Sequence, residues 1–273
     1  MKIALKIDAA TYRGTLIGVP RLVEALRQAE AQATFFFNLG PDRSGRLLGP
    51  LLAESRPGAG ALARHGFAAL LYGTLLPGPD LGSRCADILR GVREAGFDTG
   101  VLAWDHAEWQ SQSPRGGAAW TERRMRRAVA RYKKIFGEAP KAHAAAGWQT
   151  NPHALRLTQR LGYGYASDTR GTCPFIPVWH AEIVLCPQLP TTLPTLDELL
   201  GQDGCTVDNL HERVLALTET MPPTGHVFSL QADLGLALLP VVEKLLEGWK
   251  RQAHEVVSLG GLFESIDASR LPR

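Results

Sequence analysis

An α/β barrel is the fold class this sequence predicts, and three observations predict it. Short apolar runs alternate with helical patterns from one end of the chain to the other. The runs are apolar throughout rather than alternating with polar residues, as strands covered on both faces of a parallel sheet are. Polar residues able to do chemistry stand just after those runs, where a parallel barrel gathers its loops. A chain of 273 residues with 45% hydrophobic and 21% charged residues has the size and core for such a barrel.

The strand candidates cover 3–7, 33–38, 99–104, 142–146, 165–167, 183–185, 227–230 and 256–259. Between them, 19–31, 81–95, 119–136, 152–161, 207–220 and 236–251 read as amphipathic helices. Pro20 suits a first helical turn, and Asn151 followed by Pro152 is an N-cap with proline in the first turn. Gly96, Gly137 and Gly162 each follow a helical pattern, where a left-handed residue closes a helix.

Composition narrows the function. A net charge of +3 is too small to indicate nucleic acid, and none is expected as a partner. The densest basic cluster, Arg123-Arg124-Met125-Arg126-Arg127, reads as a solvated helix face, with an anionic lipid headgroup as the sharper reading. Cys85, Cys173, Cys186 and Cys205 are widely spaced, without a metal-binding pair. No charged segment followed by an apolar run precedes the first strand, so a cytoplasmic protein with reduced thiols is expected. No run approaches the roughly 18 apolar residues of a membrane span. The apolar segment 66–78, broken by glycine and proline, reads either as a packed lid or as a surface that meets a lipid chain. The second reading places the protein at the periphery of the inner membrane.

Two strand ends carry most of the chemistry. The first strand closes on Asp8 and runs into Ala9-Ala10-Thr11-Tyr12-Arg13-Gly14-Thr15. The third runs into Trp104-Asp105-His106-Ala107-Glu108-Trp109-Gln110. Further on stand Gly18-Val19-Pro20-Arg21-Leu22, Gly40-Pro41-Asp42, Ala144-Ala145-Ala146-Gly147-Trp148, Ser167-Asp168-Thr169-Arg170-Gly171 and Pro190-Thr191-Thr192-Leu193-Pro194-Thr195. Together these strings resemble the polysaccharide deacetylase superfamily (carbohydrate esterase family 4). Within it they resemble the branch acting on undecaprenyl-phosphate-linked 4-deoxy-4-formamido-L-arabinose. The resemblance covers most of the chain. It implies one domain over residues 1–273 with an irregular seven-stranded (β/α) barrel.

The resemblance also implies a reaction. In that family a divalent metal such as zinc polarises the acyl carbonyl and its bound water, an aspartate takes a proton from the water, and a histidine protonates the departing amine. By position Asp8 is the catalytic base and His106 a metal ligand. The second ligand aspartate and the second ligand histidine fall on Ala10 and Leu102. The acid falls on Gln231 and the base-orienting arginine on Gln149. Alanine and leucine bind no metal, and one imidazole does not hold zinc where several ligands are required. Glutamine exchanges no proton near neutral pH. No cofactor is therefore expected, and a rebuilt site would have to draw Asp105, Glu108 and Asp233 toward Asp8 and His106.

A ligand pocket is expected from Arg13, Trp104, Asp105, Trp109, Trp148, Asp168, Arg170 and Gln231. Each has a plainer reading: the tryptophans as walls, Asp8 as a strand-end cap, His106 as a hydrogen-bonded barrel residue. Three functions compete. One is a hydrolase removing a formyl or acetyl group from a lipid-linked amino sugar. Another is a catalytically degenerate relative that binds such a sugar or pairs with an active paralogue. The last is an interaction protein whose pocket is a relic.

Overall fold

The computed structural model describes residues 1–47, 71–220 and 222–273. Of the apolar segment 66–78, residues 66–70 lie outside the described residues, as does His65.

Seven parallel strands form the main sheet. They are β1 (Lys2–Ala9), β2 (Thr34–Asn38), β3 (Asp98–Ala103), β4 (Ala142–His143), β5 (Tyr165–Ala166), β8 (His226–Gln231) and β9 (Glu255–Val257), in the order β5-β4-β3-β2-β1-β8. The last strand lies along the first half of β1, where Lys2 pairs with Glu255, and β2 takes over from Lys6 onward. Every one of these pairings is parallel, so the strands' carboxyl ends open on one face.

Both faces of the sheet are covered, which is why the strands read as unbroken apolar runs. Phe35, Phe36 and Phe37 are all fully buried. Phe35 meets Phe97 edge-on at 5.6 Å and Phe37 stacks near Phe136, while Phe36 turns to the opposite side. Among the described residues the α-helices of six or more residues are α1 (Val19–Gln28), α2 (Ala86–Glu94), α3 (His106–Gln112), α4 (Ala118–Phe136), α5 (Pro152–Arg160), α6 (Leu210–Leu217), α7 (Ala232–Ala237) and α8 (Leu239–Arg251). Gly137 closes α4 in the left-handed region at φ 77°. No described helix is long and apolar enough to cross a membrane. The four cysteines are free thiols, and burial pushes Cys186 up to about 12.

One strand expectation is corrected. Residues 183–185 do not enter the barrel. Glu182–Ile183 (β7) pairs antiparallel with Val178–Trp179 (β6) in a separate exterior hairpin. The gap between β5 and β8 is bridged instead by residues 187–193. On one side Ala166 N–H donates to Pro187 O (2.9 Å) and Leu189 N–H to Ala166 O (2.7 Å). On the other, Thr192 N–H donates to Val227 O (3.0 Å), and Val227 N–H donates back to the Thr192 hydroxyl (3.0 Å). Pro187 and Pro190 have no N–H to offer, so this element closes the barrel without a regular ladder.

Asn151 ties three outer elements together. Its Oδ1 caps α5 through Ala154 N–H (2.9 Å), and its Nδ2 donates to Ser113 O (2.8 Å) and the Thr121 hydroxyl (3.1 Å). Asn151→Ala is expected to cost about 2–3 kcal/mol in urea unfolding, the sum of a lost cap and a buried carbonyl left without its donor. Asn151→Asp keeps the cap and loses the donor, so its midpoint should fall between the two.

Candidate active site

Strand alternation decides which β1 side chains enter the barrel. Residues two apart share a face, so Lys6 and Asp8 point the same way. Lys6 is fully buried. Its ammonium lies 3.5 Å from Asp8 Oδ2, donates to Ser167 O at 3.2 Å, and sits 5.8 Å from the ring centres of both Phe36 and Trp148. It therefore spans the barrel interior from β1 to the end of β5. Burial raises the Asp8 carboxyl above its ordinary 3.8, and the Lys6 charge pulls it back down in part. Asp8 Oδ1 is buried and has no hydrogen-bond partner among the described residues.

Gln231 ends β8 directly beside Asp8, its register partner. On the other flank, β3 delivers the second motif. Asp105 caps α3 by accepting Glu108 N–H (3.0 Å) and pairs with Arg43 at 2.8 Å. His106 follows it into the helix. Its N–H donates to Asn38 Oδ1 (3.2 Å), and its Nε2 is 3.4 Å from the Ser44 hydroxyl. That hydroxyl donates to Asp42 Oδ1, and Asp42 Oδ2 accepts Tyr12 N–H at 2.7 Å.

Trp148 is held in the left-handed region at φ 54°, after Gly147 at φ 63°, a conformation costly for a bulky residue. The strained turn places its ring between Lys6 and Arg170, whose guanidinium lies 4.9 Å from the ring centre. The Arg170 fork is engaged: one nitrogen meets both Glu198 oxygens (2.7 and 2.8 Å), and the other donates to Leu193 O. Burial raises Glu198, but the bonds from Arg170 and Thr195 outweigh it and hold the carboxyl below its usual range. Asp168 is fully buried, bound to His143 Nδ1 (2.7 Å) and to Gln188, and lies next to the Ser167 carbonyl that receives Lys6.

The expected pocket residues therefore divide. Asp8, Gln231, Trp148 and Arg170 gather around the Lys6 end of the barrel, with Asp168 beneath them. Arg13 stands in the loop after β1, at the entry to the short π-helix Gly14–Gly18. Trp104 lies apart: it packs against Gly40 under the guanidinium groups of Arg127 and Arg131 from α4. Trp109 is a wall residue, stacked on Trp120 and donating to Gln149 O at 2.8 Å. Two residues escaped the sequence reading. Lys6 was signalled by its two-residue spacing from Asp8, and His143 by its place on the strand beside Asp168.

A divalent metal is poorly matched by these side chains. Ala10 and Leu102 supply no donor atom, and Leu102 is core. Asp105 and Glu108 are in ion pairs with Arg43 and Arg124, and Asp233 packs against Gly14. Among the described residues no group of three or more His, Cys, Asp or Glu could hold a metal ion.

The comparisons with known proteins agree with this architecture. No family model matches the chain. Similar solved structures include a chitin deacetylase from Colletotrichum lindemuthianum, with TM-score 0.59 and 16% identity over 96% of this chain and 86% of that one. Another is a family 4 carbohydrate esterase pseudoenzyme from Bacillus anthracis, with TM-score 0.55 and 14% identity over 96% of this chain and 64% of that one. A mutant of that protein has restored enzymatic activity. The fold is thus that of the polysaccharide deacetylases. Over 97% of its length the chain is also 33% identical to the probable 4-deoxy-4-formamido-L-arabinose-phosphoundecaprenol deformylase ArnD of Shewanella sediminis, covering 87% of it. The chain belongs to that deformylase family within the polysaccharide deacetylase superfamily.

Removing the ammonium should expose how the site is held. Lys6→Met leaves a buried carboxylate without its cation and is expected to lose about 3–5 kcal/mol at neutral pH. The sign follows from Asp8: its folded pKa is raised, so its burial penalty is absent below its ordinary 3.8 and grows as pH rises through the raised value. The Lys6→Met deficit should therefore shrink on acidification, and adding Asp8→Asn should restore much of the stability. Thermal unfolding across pH measures both.

Proposed function

We propose that the chain binds an amino sugar carried on a polyprenyl phosphate and does not hydrolyse it by the metal route of its relatives. The observation that carries this reading is the chemistry of the side chains at the expected metal position. Ala10 and Leu102 replace an oxygen and a nitrogen donor, Gln231 beside Asp8 replaces the acid, and Asp105 and Glu108 are in ion pairs with Arg43 and Arg124. A fixed ammonium, Lys6, is the charge that accompanies Asp8. The relatives' name supplies the ligand class. The pseudoenzyme of the same fold supports the idea that such a barrel persists without turnover.

The surviving groups suit recognition. Asp8 Oδ1 is a buried acceptor for a sugar hydroxyl or amide N–H. The Trp148 ring offers a face for sugar C–H groups. An active hydrolase with a rebuilt metal site is the competing reading. It requires Asp105 or Glu108 to leave its arginine, or Asp233 to turn from Gly14 toward Asp8.

Protein purified without chelator should carry no stoichiometric zinc, cobalt or nickel by elemental analysis. It should release no formate from the formylated, lipid-linked sugar; the missing acid alone removes about 10²–10⁴ in rate. Trp148→Ala should weaken binding of a soluble 4-amino-4-deoxyarabinoside by up to about tenfold. The combined variant Ala10→Asp, Leu102→His and Gln231→His, with Gln149→Arg, should gain one metal ion and measurable formate release. Zinc held through His106 in the parent, or parent turnover abolished by Asp8→Asn, would overturn the reading.

A further inference from the structure

We propose that the barrel mouth takes its sugar in the free-amine form, with the ammonium seated between Asp8 Oδ1 and the Gln231 side-chain oxygen, and that it discriminates against the N-acylated form. The proposal rests on the sugar-ligand reading above and names the state of the nitrogen that reading leaves open.

Two acceptors stand side by side at the carboxyl ends of neighbouring strands. Asp8 and Gln231 are register partners in the parallel pair β1–β8, so their side chains leave the sheet on the same face. Asp8 Oδ1 is buried and without a partner among the described residues. Gln231 is half-buried, and no hydrogen bond fixes its side-chain amide to another described residue. An amide that is free to turn presents either its oxygen or its nitrogen. A primary ammonium has three donors and no acceptor. It fills Asp8 Oδ1 and Gln231 Oε1 together and keeps a third N–H for solvent.

Charge favours the same choice. Lys6 is the cation already present, 3.5 Å from Asp8 Oδ2, and it divides its donors between that oxygen and Ser167 O. Its charge does not cancel the cost of burying the carboxylate, which stays above its ordinary 3.8. A ligand cation at Oδ1 meets the remainder. The carboxyl group then stands between two ammoniums, each nearer to the negative charge than to the other.

An N-formyl or N-acetyl group suits the mouth less well. Its nitrogen is uncharged and has a single N–H for Asp8. Its carbonyl needs a cation or a strong donor. The positions where a pair of metal ligands would stand hold Ala10 and Leu102, and Lys6 is turned to Ser167 O. The carbonyl is left with the neutral Gln231 amide, and a neutral hydrogen bond is about half as strong as a charge-assisted one. A sugar with a free amine is what amide hydrolysis leaves, so the chain acts on the product side of such a reaction.

The experiment is calorimetric titration of the full chain with methyl 4-amino-4-deoxy-L-arabinopyranoside and, separately, with its N-formyl derivative. The amine should bind at least about tenfold more tightly. Gln231→Glu sets a second carboxylate beside Asp8 and should tighten the amine about fivefold while leaving the formyl derivative within about twofold. Gln231→Met keeps the length, removes the acceptor, and should weaken the amine about threefold. Asp8→Asn should bring the two probes within about threefold of each other. Should that variant fail to fold, with Lys6 left buried without its carboxylate, the two Gln231 variants decide alone, since that side chain has no bond to lose. Equal or tighter binding of the formyl derivative overturns the proposal and leaves the sugar-ligand reading standing. So does a Gln231→Glu chain whose affinity for the amine is unchanged or lower. A chain that binds neither probe overturns both.

Discussion

The organisation of the site depends on one ammonium placed inside a barrel. Lys6 has no solvent, so its charge must be met by the groups that the strands bring to it: the Asp8 carboxylate, the Ser167 carbonyl and the faces of Phe36 and Trp148. Those groups come from β1, β2, the end of β5 and the strained turn after β4. A displacement of any of them leaves a buried charge poorly paired, so this interaction couples the register of the sheet to the conformation of the mouth. It also holds one oxygen of Asp8 and leaves the other facing away from the lysine.

Around that centre the polar residues form separate, closed circuits. Asp42, Ser44 and His106 make one on the β2–β3 side, and His143, Asp168 and Gln188 make another on the β4–β5 side. Arg170 and Glu198 make a third, seated on Trp148. Most of the carboxylates near the mouth have a designated partner, which gives rigidity at the expense of ligating capacity. A carboxylate that shares its charge with a fixed arginine is a weaker donor to a passing cation than a free one.

Much of this was legible in the sequence, for physical reasons. Doubly buried parallel strands leave an apolar signature, and caps such as Asn151 and Gly137 mark helix ends by their side-chain chemistry. Asp8 and Gln231 were placed at strand ends, and the register sets them side by side. What was not legible depended on partners distant in sequence. Lysine in an apolar run does not reveal whether its head reaches water or a carbonyl 161 residues away. The run at 183–185 looked like a strand because its apolar content was right. The real closing element is rich in proline, which masks an extended segment from any pattern built on ladders. Helix α3 was hidden because its first turn coincides with the motif loop. Trp104 was grouped with the pocket by its position after a strand, whereas α4 supplies the arginines that claim its ring.

The proline-bearing seam at 187–193 also bears on how readily the barrel could pair strand to strand with another chain. A sheet that stops at β5 and β8 would offer two rows of unsatisfied backbone groups to another chain. The seam covers both rows with one segment whose own donors are interrupted by Pro187 and Pro190. Its bonds include side chains, the Thr192 hydroxyl toward Val227 and the Gln188 amide toward Asp168. A foreign strand arriving there finds the β-sheet edges occupied and a template too irregular to extend. The same irregularity that excludes this element from the regular sheet makes the barrel a poor seed for strand-to-strand aggregation.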